Sequence, residues 1–230
     1  MRITESKKPF VILLCILAIG VSGVSIVRHL IGPRTVYDPR ADQCLGETIA
    51  HECGTLLNGH GEVVVLCEVG GKFKNRVSEA RMEGFKRGLG KFAGIKIAAV
   101  EAPSESERMA PGFMEGVSEK FFLQAAAAHP SANLIVSFLG VPVFAQTGEP
   151  IDVTKLPKVV ALNLSPVGRW KELVEQDVVS AVVVPRYDQK RSDLPKKGDC
   201  KTMFESRYWV VNKANFKQME DKLKQQYPMM

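Results

Sequence analysis

Glu62–Cys67 reads EVVVLC, a short and nearly continuous apolar run rich in valine. A strand with one wet face alternates apolar and polar residues, whereas one buried on both faces does not. This run therefore belongs to a parallel sheet with helices on both sides. Four more such runs follow at strand length: Ile95–Val100 (IKIAAV), Leu134–Leu139 (LIVSFL), Lys158–Leu162 (KVVAL) and Val178–Val184 (VVSAVVV).

Between the runs the periodicity changes to that of helices. The segment 43–58 places Leu45, Ile49, Cys53, Leu56 and Leu57 at helical spacing, and Asn58-Gly59 ends it. Residues 76–92 do the same with Val77, Ala80, Met82, Phe85, Leu89 and Phe92. A helix is predicted over 113–128, where Pro130 forbids continuation, and another around 167–176. Strand, helix, strand in repetition predicts a three-layer αβα domain with a mainly parallel sheet of five or six strands.

The first forty residues are of another kind. Pro9–Val27 (PFVILLCILAIGVSGVSIV) is uncharged and follows Lys7 and Lys8; as a helix it covers about 28 Å, enough to span a bilayer core. The same residues fit a secretory signal with small residues at Ser22 and Gly23 before a cleavage point. Hydrophobicity that continues through Val27 favours an uncleaved anchor, with a secreted form after cleavage as the alternative. The division expected is 1–28 anchor or signal, 29–41 linker and 42–230 folded domain. Either form exports the domain, so a membrane-anchored, extracytoplasmic (periplasmic) location is expected, with a reversed anchor and a cytoplasmic domain as the other possibility.

The chain has 230 residues and 45% hydrophobic content, room for one sizeable core. Its net charge of +6 is spread largely over the two tails, which argues for a solvated surface and against nucleic acid as a partner. Cys44, Cys53, Cys67 and Cys200 allow disulfides in an oxidising compartment. Cys44 and Cys53 share one predicted helix about 13 Å apart, so those two are not expected to bond to each other. No Cys or His spacing suggests a metal, and the GxSxG, HExxH and phosphate-loop patterns are missing; no cofactor and no catalysis are expected.

Several strings, in order, are LGETIAHECGTLLNGHGEVVVL, EARMEGFKRGL, FAGIKIAAVEA, AAAAHPSANLIVSF, VVALNLSPVGRWKELVEQDVVSAVVV and YWVVNKANFKQME. Together, from Asp42 to Asn215, they resemble the C-terminal lobe of periplasmic binding proteins of the sugar-binding type. The resemblance implies a sugar-like small-molecule ligand bound without catalysis. Its site residues would be Arg81 near a helix start, Asn163 after the fourth strand, Phe138 after the third, and Asp42 at the opening of the lobe. Such ligands collect beyond the carboxyl ends of the strands.

Departures accompany the matches. Only anchor and linker precede the lobe, Asn163 stands where the family has a carboxylate, and the loop RYDQKRSDLPKKGD (186–199) replaces an expected helix. A degenerate lobe serving as an interaction or assembly module is the alternative function, and a second lobe or a homo-oligomer the expected partner besides the membrane at 9–27. Each residue also has a plainer role: Arg81 paired with Glu79 or Glu83, Asn163 capping the next helix, Phe138 in the core.

Overall fold

The computed structural model describes residues 37–68, 75–108, 116–143, 156–163, 170–188, 195 and 198–226. The folded body falls in the unit Pro39–Met230. The apolar segment 9–27 lies outside the described residues, among which no helix is long and apolar enough to cross a membrane.

The elements run α1 (Arg40–Leu56), β1 (His60–Leu66), α2 (Arg76–Leu89), β2 (Gly94–Glu101), α3 (Glu105–Arg108), β3 (Val117–Ser118), α4 (Glu119–Ala128), β4 (Leu134–Ser137), β5 (Pro142–Val143), β6 (Lys158–Leu162), α5 (Trp170–Glu175), β7 (Ala181–Pro185), α6 (Cys200–Glu205), β8 (Tyr208–Asn212) and α7 (Phe216–Gln226). Six strands form one sheet in the order β2-β1-β4-β6-β7-β8, and β3 pairs with β5 in a small parallel one. The first five are mutually parallel and β8 is antiparallel to β7.

Strand alternation divides the apolar residues between the two faces. Val63, Val65, Leu134, Val136, Val160, Leu162, Ala181 and Val183 face one way and pack with Leu45, Ile49, Phe85 and Phe204 of α1, α2 and α6. Val64, Leu66, Ile135, Val159, Ala161, Val182 and Val184 face the other way, against Phe122, Trp170, Phe216 and Leu223 of α4, α5 and α7. Two cores on one sheet are the three layers expected of continuous valine runs.

The closest packing joins α1 and α2. A Cβ on Gly46 would fall on the Arg81 carbonyl oxygen, one on Gly84 would fall on the Gln43 carbonyl oxygen, and one on Gly88 would stand 2.7 Å from the Ala50 Cβ. Glycine here lets two backbones touch. A disulfide joins Cys44 on α1 to Cys200 on α6, while Cys53 and Cys67 are buried thiols outside any disulfide. Cys44 and Cys53 do not bond, as their helical spacing requires.

Several boundaries differ from the sequence reading. The helix predicted from 113 starts at Glu119, where the Ser118 Oγ accepts from the Phe121 N–H at 3.3 Å. The strand predicted to 139 ends at Ser137, whose Oγ donates to the Gly140 carbonyl at 2.6 Å and closes a turn. The strand predicted from 178 starts at Ala181, after Asp177 at φ 63. The charged loop after β7 leads into a helix after all: the Asp199 Oδ1 accepts from the Thr202 N–H at 2.7 Å and opens α6. At the chain end, where no helix is predicted, Phe216, Met219 and Leu223, three and four residues apart, give α7 a narrow buried stripe.

Candidate functional site at the carboxyl edge of the sheet

In the strand order β2-β1-β4-β6-β7 the chain reverses direction of winding between β1 and β4. Loops leaving neighbouring strands part there, on opposite faces, and leave a crevice beyond the carboxyl ends. α2 leaves β1 at this edge. α1 enters β1 through the turn Leu57–Gly59 and runs back antiparallel to it, so its first turn returns to the same edge.

At the exit of β1, Asn75 holds two neighbours at once. Its Oδ1 accepts from the Val77 and Ser78 N–H groups at 3.1 and 3.3 Å and caps α2, while its Nδ2 donates to the Glu68 Oε2 at 2.9 Å. The cap thereby fixes a carboxylate at the crevice. At the exit of β6, the Asn163 backbone N–H donates to the Val183 carbonyl at 2.8 Å, which ties the residue to β7. The residue is 2% exposed, and its Nδ2 has no hydrogen-bond partner among the described residues. A buried amide left with idle hydrogens costs about 1–3 kcal/mol.

Asp42 and Arg81 meet each other. The Arg81 Nε donates to the Asp42 Oδ1 at 3.0 Å, with the side chains 15% and 16% exposed, beside the close glycine crossing of α1 and α2. The partner is neither Glu79 nor Glu83; Glu83 instead accepts from the Gln43 Nε2 at 3.0 Å. Tyr208 lies within electrostatic reach of this pair, and burial pushes its phenol up from the ordinary range. Phe138 is 3% exposed and meets the Phe85 ring edge-on, with centroids 5.8 Å apart at 85°. Its ring belongs to the core between sheet and α2, the plainer of its two expected roles.

Of the four residues singled out in the sequence, two are thus joined to each other, one is in the core, and Asn163 alone presents an unmet polar group. Sequence reasoning missed Glu68 and Asn75, although Asn75 followed by Arg-Val-Ser-Glu is a legible helix cap. It also missed Arg186. That guanidinium donates to both Asp188 carboxylate oxygens at 3.1 and 2.9 Å and to the Glu205 carbonyl at 2.6 Å, and it lies 5.0 Å from the Trp209 ring centroid. The hydrogen bond from Arg186 holds the Asp188 carboxyl below its ordinary range.

The chain shares its fold with solute-binding proteins of sugar transporters, the type I periplasmic binding proteins. It is similar to a sugar-binding protein of a sugar ABC transporter from Bacillus halodurans at 17% identity and TM-score 0.51, over 77% of this chain and 63% of that one. A carbohydrate transporter solute-binding protein from Agrobacterium Radiobacter, in complex with D-arabinose, matches at 14% identity and TM-score 0.51, over 83% of this chain and 63% of that one. The chain thus spans 63% of the length of both relatives. At these identities the likeness is one of fold alone. No protein-family model matches the chain, and no curated protein matches it in sequence.

Proposed function

We propose that this chain is an extracytoplasmic, membrane-anchored lobe that binds a sugar-like small molecule at the carboxyl edge of its sheet without transforming it. The observation that carries the proposal is the buried Asn163 amide, with its unmet Nδ2 at the end of β6. A sugar hydroxyl is both donor and acceptor, so one ring can accept from the Asn163 Nδ2 and donate to a carboxylate such as Glu68. Arg81 and Asp42 act on the ligand indirectly, by holding the first turn of α1 against α2. Phe138 supports them from below through Phe85. The D-arabinose carried by the Agrobacterium Radiobacter protein suggests pentoses as the first ligands to try. The Cys44–Cys200 disulfide supports an oxidising compartment, and the length of 9–27 supports the anchor.

A lone lobe offers an open face, whereas small-molecule sites usually enclose most of the ligand. The site is therefore completed by a second lobe on another chain or by a second copy. The test is a thermal-shift titration of the full-length chain in detergent with D-arabinose and a panel of other pentoses and hexoses. Stabilisation should grow with the logarithm of sugar concentration. Identical melting curves at zero and at several hundred millimolar sugar would count against the proposal. The variant that reads the site is Asn163→Leu. Arg81→Ala is unsuitable, because it also removes the clamp between α1 and α2.

A further inference from the structure

β8 is the edge of the main sheet, and its outward main-chain groups can be identified. The Arg186 N–H donates to the Arg207 carbonyl at 2.7 Å, and the ladder continues Pro185 with Tyr208, Val184 with Trp209 and Val183 with Val210. Hydrogen-bonded pairs alternate along an antiparallel ladder, so Trp209 and Val211 point their main-chain groups at β7, while Tyr208, Val210 and Asn212 point theirs outward. Pro185, which has no N–H, stands opposite Tyr208 in agreement with this parity. Asn215 covers one end of the open edge. Its Oδ1 accepts from the Asn212 N–H at 2.9 Å, its Nδ2 donates to the Val210 carbonyl at 2.9 Å, and its own N–H donates to the Asn212 carbonyl at 3.2 Å. The Tyr208 N–H and carbonyl and the Val210 N–H are left without a partner among the described residues.

Beside these groups lies a groove of about 730 Å³ between α1, α6 and β8. Tyr208 stacks on Phe204 there, with centroids 5.5 Å apart, and Phe92 extends the aromatic lining. Two of the acids in the groove are paired: Glu47 accepts from Lys91 at 2.6 Å and from Arg87 at 3.1 Å, and the Glu205 Oε1 lies 3.9 Å from the Lys201 Nζ.

We infer that β8 and this groove form a peptide-binding site, in which an extended segment of a partner protein adds a strand to β8 and sets a bulky uncharged side chain among the aromatic rings. Open N–H and C=O groups at strand spacing are complementary to another strand more than to any small molecule. Side chains at every second position of that strand point toward the groove side, where Tyr208 and Val210 also point. The inference does not depend on the sugar site.

The probe is the peptide fluorescein-Thr-Phe-Thr-Leu-Thr-amide, labelled on its N-terminal amine and titrated against the full-length chain in detergent, with a backbone N-methylated version as control. Saturable binding of the first and roughly tenfold weaker binding of the second is expected if strand pairing contributes. Val210→Pro removes an outward N–H without touching the ladder to β7, and should weaken the peptide by a similar factor at unchanged melting temperature. If that variant fails to fold, amide exchange on the native chain decides instead. The Tyr208 and Val210 amides should be fast in the free protein and protected by the peptide, with the Trp209 amide slow in both. Equal binding of the methylated peptide, no binding at millimolar peptide, or unchanged Tyr208 and Val210 exchange overturns the inference. Protection of those amides in the free protein together with sedimentation as a dimer also overturns it, and gives the edge to a second copy.

Discussion

Asn163→Leu separates a binding residue from a structural one, because the two roles predict opposite signs. The residue is 2% exposed and its Nδ2 lacks a partner among the described residues. Replacing it with an apolar group of similar size should recover about 1–3 kcal/mol of desolvation cost. The branched shape of leucine takes back up to about 1.5 kcal/mol through imperfect packing. A net gain of about 1 kcal/mol raises the melting temperature by roughly 2–4 °C in a domain of this size. The native chain at a hundredfold excess of sugar over its dissociation constant gains about 2.7 kcal/mol, and the variant should gain nothing. The assay is one set of differential scanning calorimetry traces with and without D-arabinose. A variant that melts lower than the native chain, or that keeps its sugar response, would refute the reasoning, since Asn163 would then be a satisfied structural residue or no part of the site.

Further outcomes follow from the packing and the charges. Gly84→Ala drives a methyl onto the Gln43 carbonyl and should cost about 3 kcal/mol in urea unfolding. Gly90→Ala, at helical dihedrals with its nearest neighbour 3.4 Å away, should be neutral or stabilising by about 0.4–1 kcal/mol. The Cys44–Cys200 bond closes a separation of 156 residues, so reduction or Cys200→Ser should lower stability by about 2–5 kcal/mol. Cys53 and Cys67 should stay unreactive toward a thiol reagent until unfolding, since both are buried and burial pushes the Cys53 thiol up. Glu47 is held below its ordinary range, first by the hydrogen bond from Lys91 and also by that from Arg87. A depressed folded pKa contributes stability above the unfolded value of about 4.3 and loses it as pH falls through the folded one. The difference in melting temperature between the native chain and Glu47→Gln should therefore be present at pH 7 and close toward pH 3.

The candidate site was legible in part. Asn163 could be placed at a strand end because the valine run before it reports a doubly buried strand, and the strand's end follows from where the run stops. Asn75 was equally legible as a helix cap and was overlooked, since the hydrogen bond that gives it importance goes to Glu68 across a loop. Arg81 had acidic neighbours only two residues away on either side, Glu79 and Glu83, which a helix turns away from it, and sequence offered no reason to prefer Asp42, 39 residues away. Only the crossing of α1 and α2 on Gly46 and Gly84 brings those two helices near enough for the ion pair.

The sequence by itself determined the layers. Hydrophobic periodicity is a local record of burial, and runs such as EVVVLC and LIVSFL can be buried on both faces only in a sheet covered twice. α1 and α2 were legible for the same reason, being long enough to show their stripe. Tertiary structure decided what periodicity does not record. The core position of Phe138, the bond between Cys44 and Cys200, the helices α6 and α7 and the open edge of β8 all depend on contacts between segments far apart in the chain. A six-residue helix shows less than two turns of pattern, and an edge strand differs from an inner one only in whether a neighbour is present. Both are properties of the assembled fold, because the free energy that selects them comes from packing between elements and not from the residues within them.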